Sequence, residues 1–176
     1  LRQALNLQLQ KEFNLVFAQT ISRDSMQDFI TIDKGSKNGI KAGMPVITSQ
    51  KIICGRISEV YDNFSRVMLV SSPQSSFDAE IMRPDAIPDI FGVVKGQGGL
   101  NMELALVPRD KDLIQGDSVV TSSLEGIFPR GLLVGQIETV NKEDIEPFQS
   151  AVIKPLFSLQ DLDTVFVVLS PVSPKE

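Results

Sequence analysis

The sequence predicts an all-β protein made of two small, related β-barrels preceded by a short N-terminal helix. Three observations lead there. Short runs rich in Val, Ile, Phe and Thr recur from Phe13 onward, punctuated by Gly, Pro, Asn and Asp, the pattern of sandwiches and barrels. No helical pattern of about 10–15 residues intervenes, which argues against βαβ units and a parallel sheet. Finally, one stretch of the chain is repeated.

Residues 1–12, LRQALNLQLQKE, place Leu1, Leu5 and Leu9 at i, i+4 and i+8 with Ala4 beside them, on one helical face. Twelve residues are marginal as an isolated helix. The segment therefore reads as the end of a longer oligomerising helix, a coiled coil; a short helix capping the domain is the alternative. Strands are then expected at Leu15–Ser22, Asp28–Asp33, Pro45–Thr48, Ile52–Val60, Arg66–Ser71 and Phe77–Met82. Further strands are expected at Ile90–Val94, Asn101–Val107, Ser118–Thr121, Leu132–Val140, Gln149–Lys154 and Thr164–Leu169. In Asn101–Val107, Met102, Leu104 and Leu106 fall on one face and Glu103 on the other.

The repeat sets the organisation. Gly43-Met44-Pro45-Val46-Ile47-Thr48-Ser49 resembles Gly116-Asp117-Ser118-Val119-Val120-Thr121-Ser122. Each copy leads to a second matching element, Gly55-Arg56-Ile57-Ser58-Glu59-Val60 and Gly135-Gln136-Ile137-Glu138-Thr139-Val140, then to another apolar strand. A turn glycine before a β-branched strand recurs by chance in many β proteins, but two elements matching in order favour duplication. A boundary near Pro73-Gln74-Ser75-Ser76 divides the chain into a helix end at 1–12, barrels at 13–75 and 76–170, and a tail at 171–176. Strand exchange between the barrels is left open.

Composition removes whole classes of function. The net charge of −5 disfavours nucleic acid and anionic headgroups. The chain has no histidine, which excludes Ser-His-Asp and Cys-His catalysis and the commonest zinc ligand. Its one cysteine, Cys54, reads as a small buried hydrophobe. A double barrel has the architecture of chymotrypsin-like proteases, here without their catalytic residues. Ser-Lys neighbours at Ser36-Lys37 and Ser49/Lys51 sit in turns, where both types are ordinarily solvated. Asp110-Lys111-Asp112 fails the calcium-loop pattern, with Ile114 and Gln115 where a ligand and glycine belong, and Asp161-Leu162-Asp163 reads as turn chemistry. Gly96-Gln97-Gly98-Gly99 precedes a strand rather than a helix, so it reads as a hairpin, not a phosphate cradle. No cofactor, metal or catalytic residue is expected.

Several motifs together resemble one family. Ile32-Asp33-Lys34-Gly35-Ser36-Lys37-Asn38-Gly39-Ile40, followed by Gly43-Met44-Pro45-Val46, is similar to the first signature of the rod shape-determining MreC family. Gly116-Asp117 through Thr121-Ser122, Gly126-Ile127-Phe128-Pro129-Arg130-Gly131 and Val134-Gly135 resemble the second. Val107-Pro108-Arg109-Asp110-Lys111-Asp112 fits the linking segment, so the resemblance spans roughly residues 13–169. It departs at Cys54 and at Thr121-Ser122-Ser123. The resemblance implies a non-enzymatic, extracytoplasmic scaffold of the bacterial elongation machinery. It also implies a membrane anchor and coiled coil ahead of the barrels, self-association, and a class B penicillin-binding transpeptidase, MreD and, across the membrane, MreB as partners. A peptidoglycan- or carbohydrate-binding module and a histidine-free hydrolase are the alternatives. The absence of Trp and a lone Tyr61 count against a sugar face.

Partner-binding candidates are Ile127 and Phe128, in the loop bounded by Gly126 and Gly131. An aromatic there either tucks into its own barrel, the commoner outcome, or is presented to a partner.

Overall fold

The computed structural model describes Lys11 and residues 13–84, 90–124, 128–143 and 145–171. Leu1, Leu5 and Leu9, and with them the oligomerisation stripe, lie outside the described residues. Among the described residues twelve strands follow in order: β1 (Phe13–Asp24), β2 (Phe29–Ile32), β3 (Pro45–Ile47), β4 (Ile53–Val60), β5 (Ser65–Leu69), β6 (Ser76–Met82), β7 (Phe91–Gly98), β8 (Asn101–Pro108), β9 (Ser118–Thr121), β10 (Leu133–Asn141), β11 (Phe148–Pro155) and β12 (Thr164–Pro171). They close two antiparallel barrels, β1-β12-β3-β4-β5-β2 and β10-β11-β8-β7-β6-β9. Closure satisfies every edge that an open sheet would leave unpaired. Among the described residues no helix is long and apolar enough to cross a membrane.

The barrels are copies of one design, down to hydrogen bonds. The Gly43 amide donates to the Ile57 carbonyl at 2.7 Å, and the Ile57 amide returns a bond to Met44 at 2.9 Å. In the second barrel Gly116 donates to Ile137 at 2.8 Å and Ile137 to Asp117 at 2.9 Å. The side chains of Met44 and Asp117 also act alike, the Met44 sulfur accepting the Lys41 amide and the Asp117 carboxylate the Ile114 amide. The bulges coincide too, because pairing slips between Ile57 and Glu59 and between Ile137 and Thr139. Gly55 and Gly135 stand where the neighbouring strand passes closest. A Cβ on Gly55 would drive into the Met68 carbonyl oxygen, and one on Gly135 into that of Lys154.

The first signature has a steric basis of the same kind. After β2 the chain makes a tight helical turn over Ser36–Asn38 that ends on Gly39 at φ 82°. The amides of Ser36 and Lys37 bind the carbonyls of Tyr61 and Asp62 in the β4–β5 turn. A side chain at Gly35 would collide with the Tyr61 carbonyl.

One assignment differs from the sequence expectation. The second barrel is contiguous, β6 through β11, whereas the first takes β1 through β5 and then β12 from the far end of the chain. Residues expected at the end of the second barrel therefore complete the first. The compact units run up to Leu69 plus from Phe157 onward, and from Val70 to Leu156. The duplication explains why. β6 pairs with β7 and β9, and β12 fills the same place by pairing with β1 and β3. Without it, five strands would leave two open edges. Each barrel has its own core, with Ile30, Ile32, Ile47, Ile53, Ile57 and Leu69 in one, and Phe77, Met102, Leu104, Leu132 and Ile137 in the other.

Candidate interaction surface

Cys54 is buried, and desolvation pushes its thiol from 9.0 up to about 12, so it is not a nucleophile at neutral pH. The Asp161 carboxylate accepts the amide and hydroxyl of Ser158, both at 2.9 Å, and the backbone bond above all holds its pKa below the usual range. Asp163 pairs with Arg23. In the Asp110–Asp112 segment, Gln149 Nε2 donates to the Lys111 carbonyl and Arg83 to that of Asp112. The ammonium of Lys51 lies 5.8 Å from the Phe13 ring centroid. Gly99 and Leu100, at φ 60° and 64°, form the two-residue turn between β7 and β8, the mirror-image turn that hairpins prefer. Among the described residues no group of three or more acidic or cysteine side chains is placed to hold a metal.

Phe128 points into its own barrel. It is 5% exposed, and its ring meets Phe77 edge-on, with centroids 5.0 Å apart and planes at 85°. The loop after it is pinned by Thr121, whose hydroxyl donates to the Pro129 carbonyl and accepts the Leu132 amide. Arg130 forks onto Glu80 of β6 at 2.6 and 3.2 Å. Phe128 is thus accounted for by packing rather than presentation. Ile127 lies outside the described residues.

The second barrel exposes other apolar side chains, Leu106, Leu124 and Phe148 among them. Alternation along β8 places Leu106 with Met102 and Leu104, but the structure turns it out. Between the pairs Gln149↔Val107 and Ala151↔Leu104, β8 supplies Ala105 and Leu106 against the single Ser150 of β11. This bulge resets the alternation, so Ala105 and Val107 are buried while Leu106 is 49% exposed. Leu106 also sits at φ 57°, a left-handed conformation that costs a branched side chain energy. The uninterrupted apolar run Leu104-Ala105-Leu106-Val107 was the signal available in the sequence.

Leu106 separates two shallow clefts. One, of about 300 Å³, is lined by Phe91, Val93, Pro108 and Leu124 among others. The other, of about 320 Å³, is lined by Phe148, Glu143 and Glu146 together with the polar Asn141, Gln149 and Ser150. β11, β8 and β7 are neighbours in the barrel, which places Phe148, Leu106, Phe91 and Val93 on adjacent strands, a strip with polar side chains interspersed. Both clefts are open and at the small end for enclosing a ligand; they fit side chains of a macromolecule better. Of the first barrel's exposed aromatics, Tyr61 and Phe64 stack on each other at 4.4 Å, and Phe17 lies edge-on to the buried Phe166.

Residues 20–169 match the family model described as rod shape-determining protein MreC, barrel core. The chain belongs to the MreC family. That family is structural, concerned with cell shape, and is not one of enzymes. The chain is 31% identical over 164 residues to the cell shape-determining protein MreC of Listeria monocytogenes, covering 90% of this chain and 54% of that protein. It thus spans about half the length of the curated relatives it matches. A solved structure described as MreC superposes with a TM-score of 0.82 at 26% identity, covering 95% of this chain and 94% of that one. Two more distant structures share the fold. One is described as the major periplasmic domain of the cell shape-determining filament MreC, with TM-score 0.75, 19% identity and coverage of 90% and 96%. The other is a complex between penicillin-binding protein PBP2 and MreC from Helicobacter pylori, with TM-score 0.65, 16% identity and coverage of 89% and 99%.

Proposed function

We propose that this chain is the extracytoplasmic part of a scaffold for bacterial cell elongation, and that it organises peptidoglycan synthesis by binding a class B penicillin-binding transpeptidase. The observation that carries this reading is the Helicobacter pylori complex, in which a protein of the same fold is bound to PBP2. The open, partly apolar strip on the second barrel is consistent with a protein partner. The periplasmic, filament-forming description of another relative supports the location and self-association. A membrane anchor in the full-length protein, contact with MreD, and coupling to MreB across the membrane complete the proposal by family resemblance.

The deciding experiment is a calorimetric titration of this chain with the soluble extracytoplasmic part of the class B transpeptidase from the same bacterium. Saturable one-to-one binding is expected. No heat and no co-elution at tens of micromolar, on the order of the weakest useful protein contacts, would overturn the reading.

A further inference from the structure

We propose that the bulge at Leu106 is the anchor of the partner site. In this assignment the strip it divides receives an apolar protein segment that carries a basic side chain. The proposal rests on the transpeptidase-binding reading above and identifies the surface and the chemistry that serve it. Three observations carry it. A branched residue in the left-handed region inside a strand is a strained arrangement, and strain of this kind concentrates where a side chain is being aimed. Its outcome here is to lift a leucine out of a core that its own alternation would enter. Leu106 then stands between two clefts, so a partner can contact it from both sides, with Phe148 at 47% and Leu124 at 67% exposure flanking it. Energetic anchors cluster near the centre of an interface, and Leu106 holds that place between the two clefts.

The chemistry of the occupant follows from charge. The cleft beside Phe148 is rimmed by Glu143 and Glu146, both exposed, and no hydrogen bond or ion pair among the described residues engages either carboxylate. Leu106 and Phe148 beside two acidic groups select a segment whose apolar residues lie on them and whose Lys or Arg reaches that rim; the other cleft carries one charge of each sign, Asp78 and Lys111. The acidic rim disfavours an acidic peptide or an anionic lipid surface.

The test compares variants of the whole chain in the same titration. Leu106→Gly removes the anchor while relieving the backbone, so it should melt no lower than wild type and bind at least tenfold more weakly. Glu143→Lys with Glu146→Lys should weaken binding severalfold and flatten the salt dependence seen with wild type. Phe17→Ala, on the first barrel, should bind as wild type does. Wild-type binding that Leu106→Gly retains in full overturns this surface while leaving the transpeptidase reading intact; absence of wild-type binding overturns that reading and the occupant with it. Tighter binding by the double lysine variant overturns the basic partner segment. A loss of self-association in Leu106→Gly, read by sedimentation, with transpeptidase affinity unchanged would reassign the strip to a second copy of the chain.

Discussion

Gly43 and Gly116 adopt the same left-handed backbone, φ 89° and 91°, and a Cβ on either would meet nothing within 4 Å. The cost of a side chain there is therefore conformational alone. Gly43→Val and Gly116→Val should each destabilise by about 1–3 kcal/mol. At Gly55 and Gly135 the demand is space, and an alanine must displace a strand carbonyl. Even that small substitution should cost about 1–3 kcal/mol or more. Urea melts of the four variants check both mechanisms, and an unchanged midpoint in either pair contradicts the one assigned to it. Phe128→Ala should lose about 3–5 kcal/mol, as buried aromatics do, and bind the partner normally once folded. Cys54 supplies a pH signature. Because its folded pKa is raised, the stability it contributes is complete below the unfolded value of 9.0 and is lost as pH rises toward about 12. The slope is about 1.4 kcal/mol per pH unit. Cys54→Val, which copies Val134 at the equivalent position of the second barrel, should abolish that alkaline component in denaturant melts.

At the scale of elements, the two equivalent hairpins differ in what they carry. β3 and β4 are joined by a short turn in which Lys51 sits at φ 61°, and β9 and β10 by a longer loop in which Gly131 sits at φ 88°. In both, the residue with positive φ donates its amide to a threonine carbonyl, Thr48 or Thr121. The longer loop needs more restraint, and the Arg130–Glu80 pair supplies it from β6. Glu80 is almost wholly buried while the Arg130 side chain is 62% exposed. Arg130→Ala should therefore cost about 1–2 kcal/mol, mainly by stranding the carboxylate. Thermal melts of Arg130→Ala and Arg130→Ala/Glu80→Gln check this, the second variant recovering part of the loss.

For the whole molecule, strand allocation makes a prediction that the order of strands in the chain does not. Residues 70–156 hold all six strands of one barrel and should fold alone with a cooperative melt. Residues 13–69 lack β12 and expose β1 and β3 as open edges, so that fragment should aggregate or remain unfolded. Adding a peptide of residues 157–171 should restore its dispersed amide spectrum. A fragment 13–69 that folds without the peptide would contradict the role assigned to β12.

Much of this protein follows from local sequence. The strands, the turn glycines and the duplication are local, because a positive φ or a close strand approach restricts the residue type at the position itself. The identity of Gly43 with Gly116 and of Gly55 with Gly135 is visible for that reason, and the absence of histidine removes imidazole chemistry without any structure. Three matters were settled only by tertiary contacts. β12 and β6 are both short apolar strands, and only barrel closure assigns β12 to the first barrel. Phe128 turns inward because Phe77, far away in sequence, offers its ring. Leu106 turns outward because β8 meets one residue of β11 with two of its own. Register between strands is a property of the pair, so the apolar run Leu104–Val107 marks a break in alternation without saying which leucine it turns to the surface.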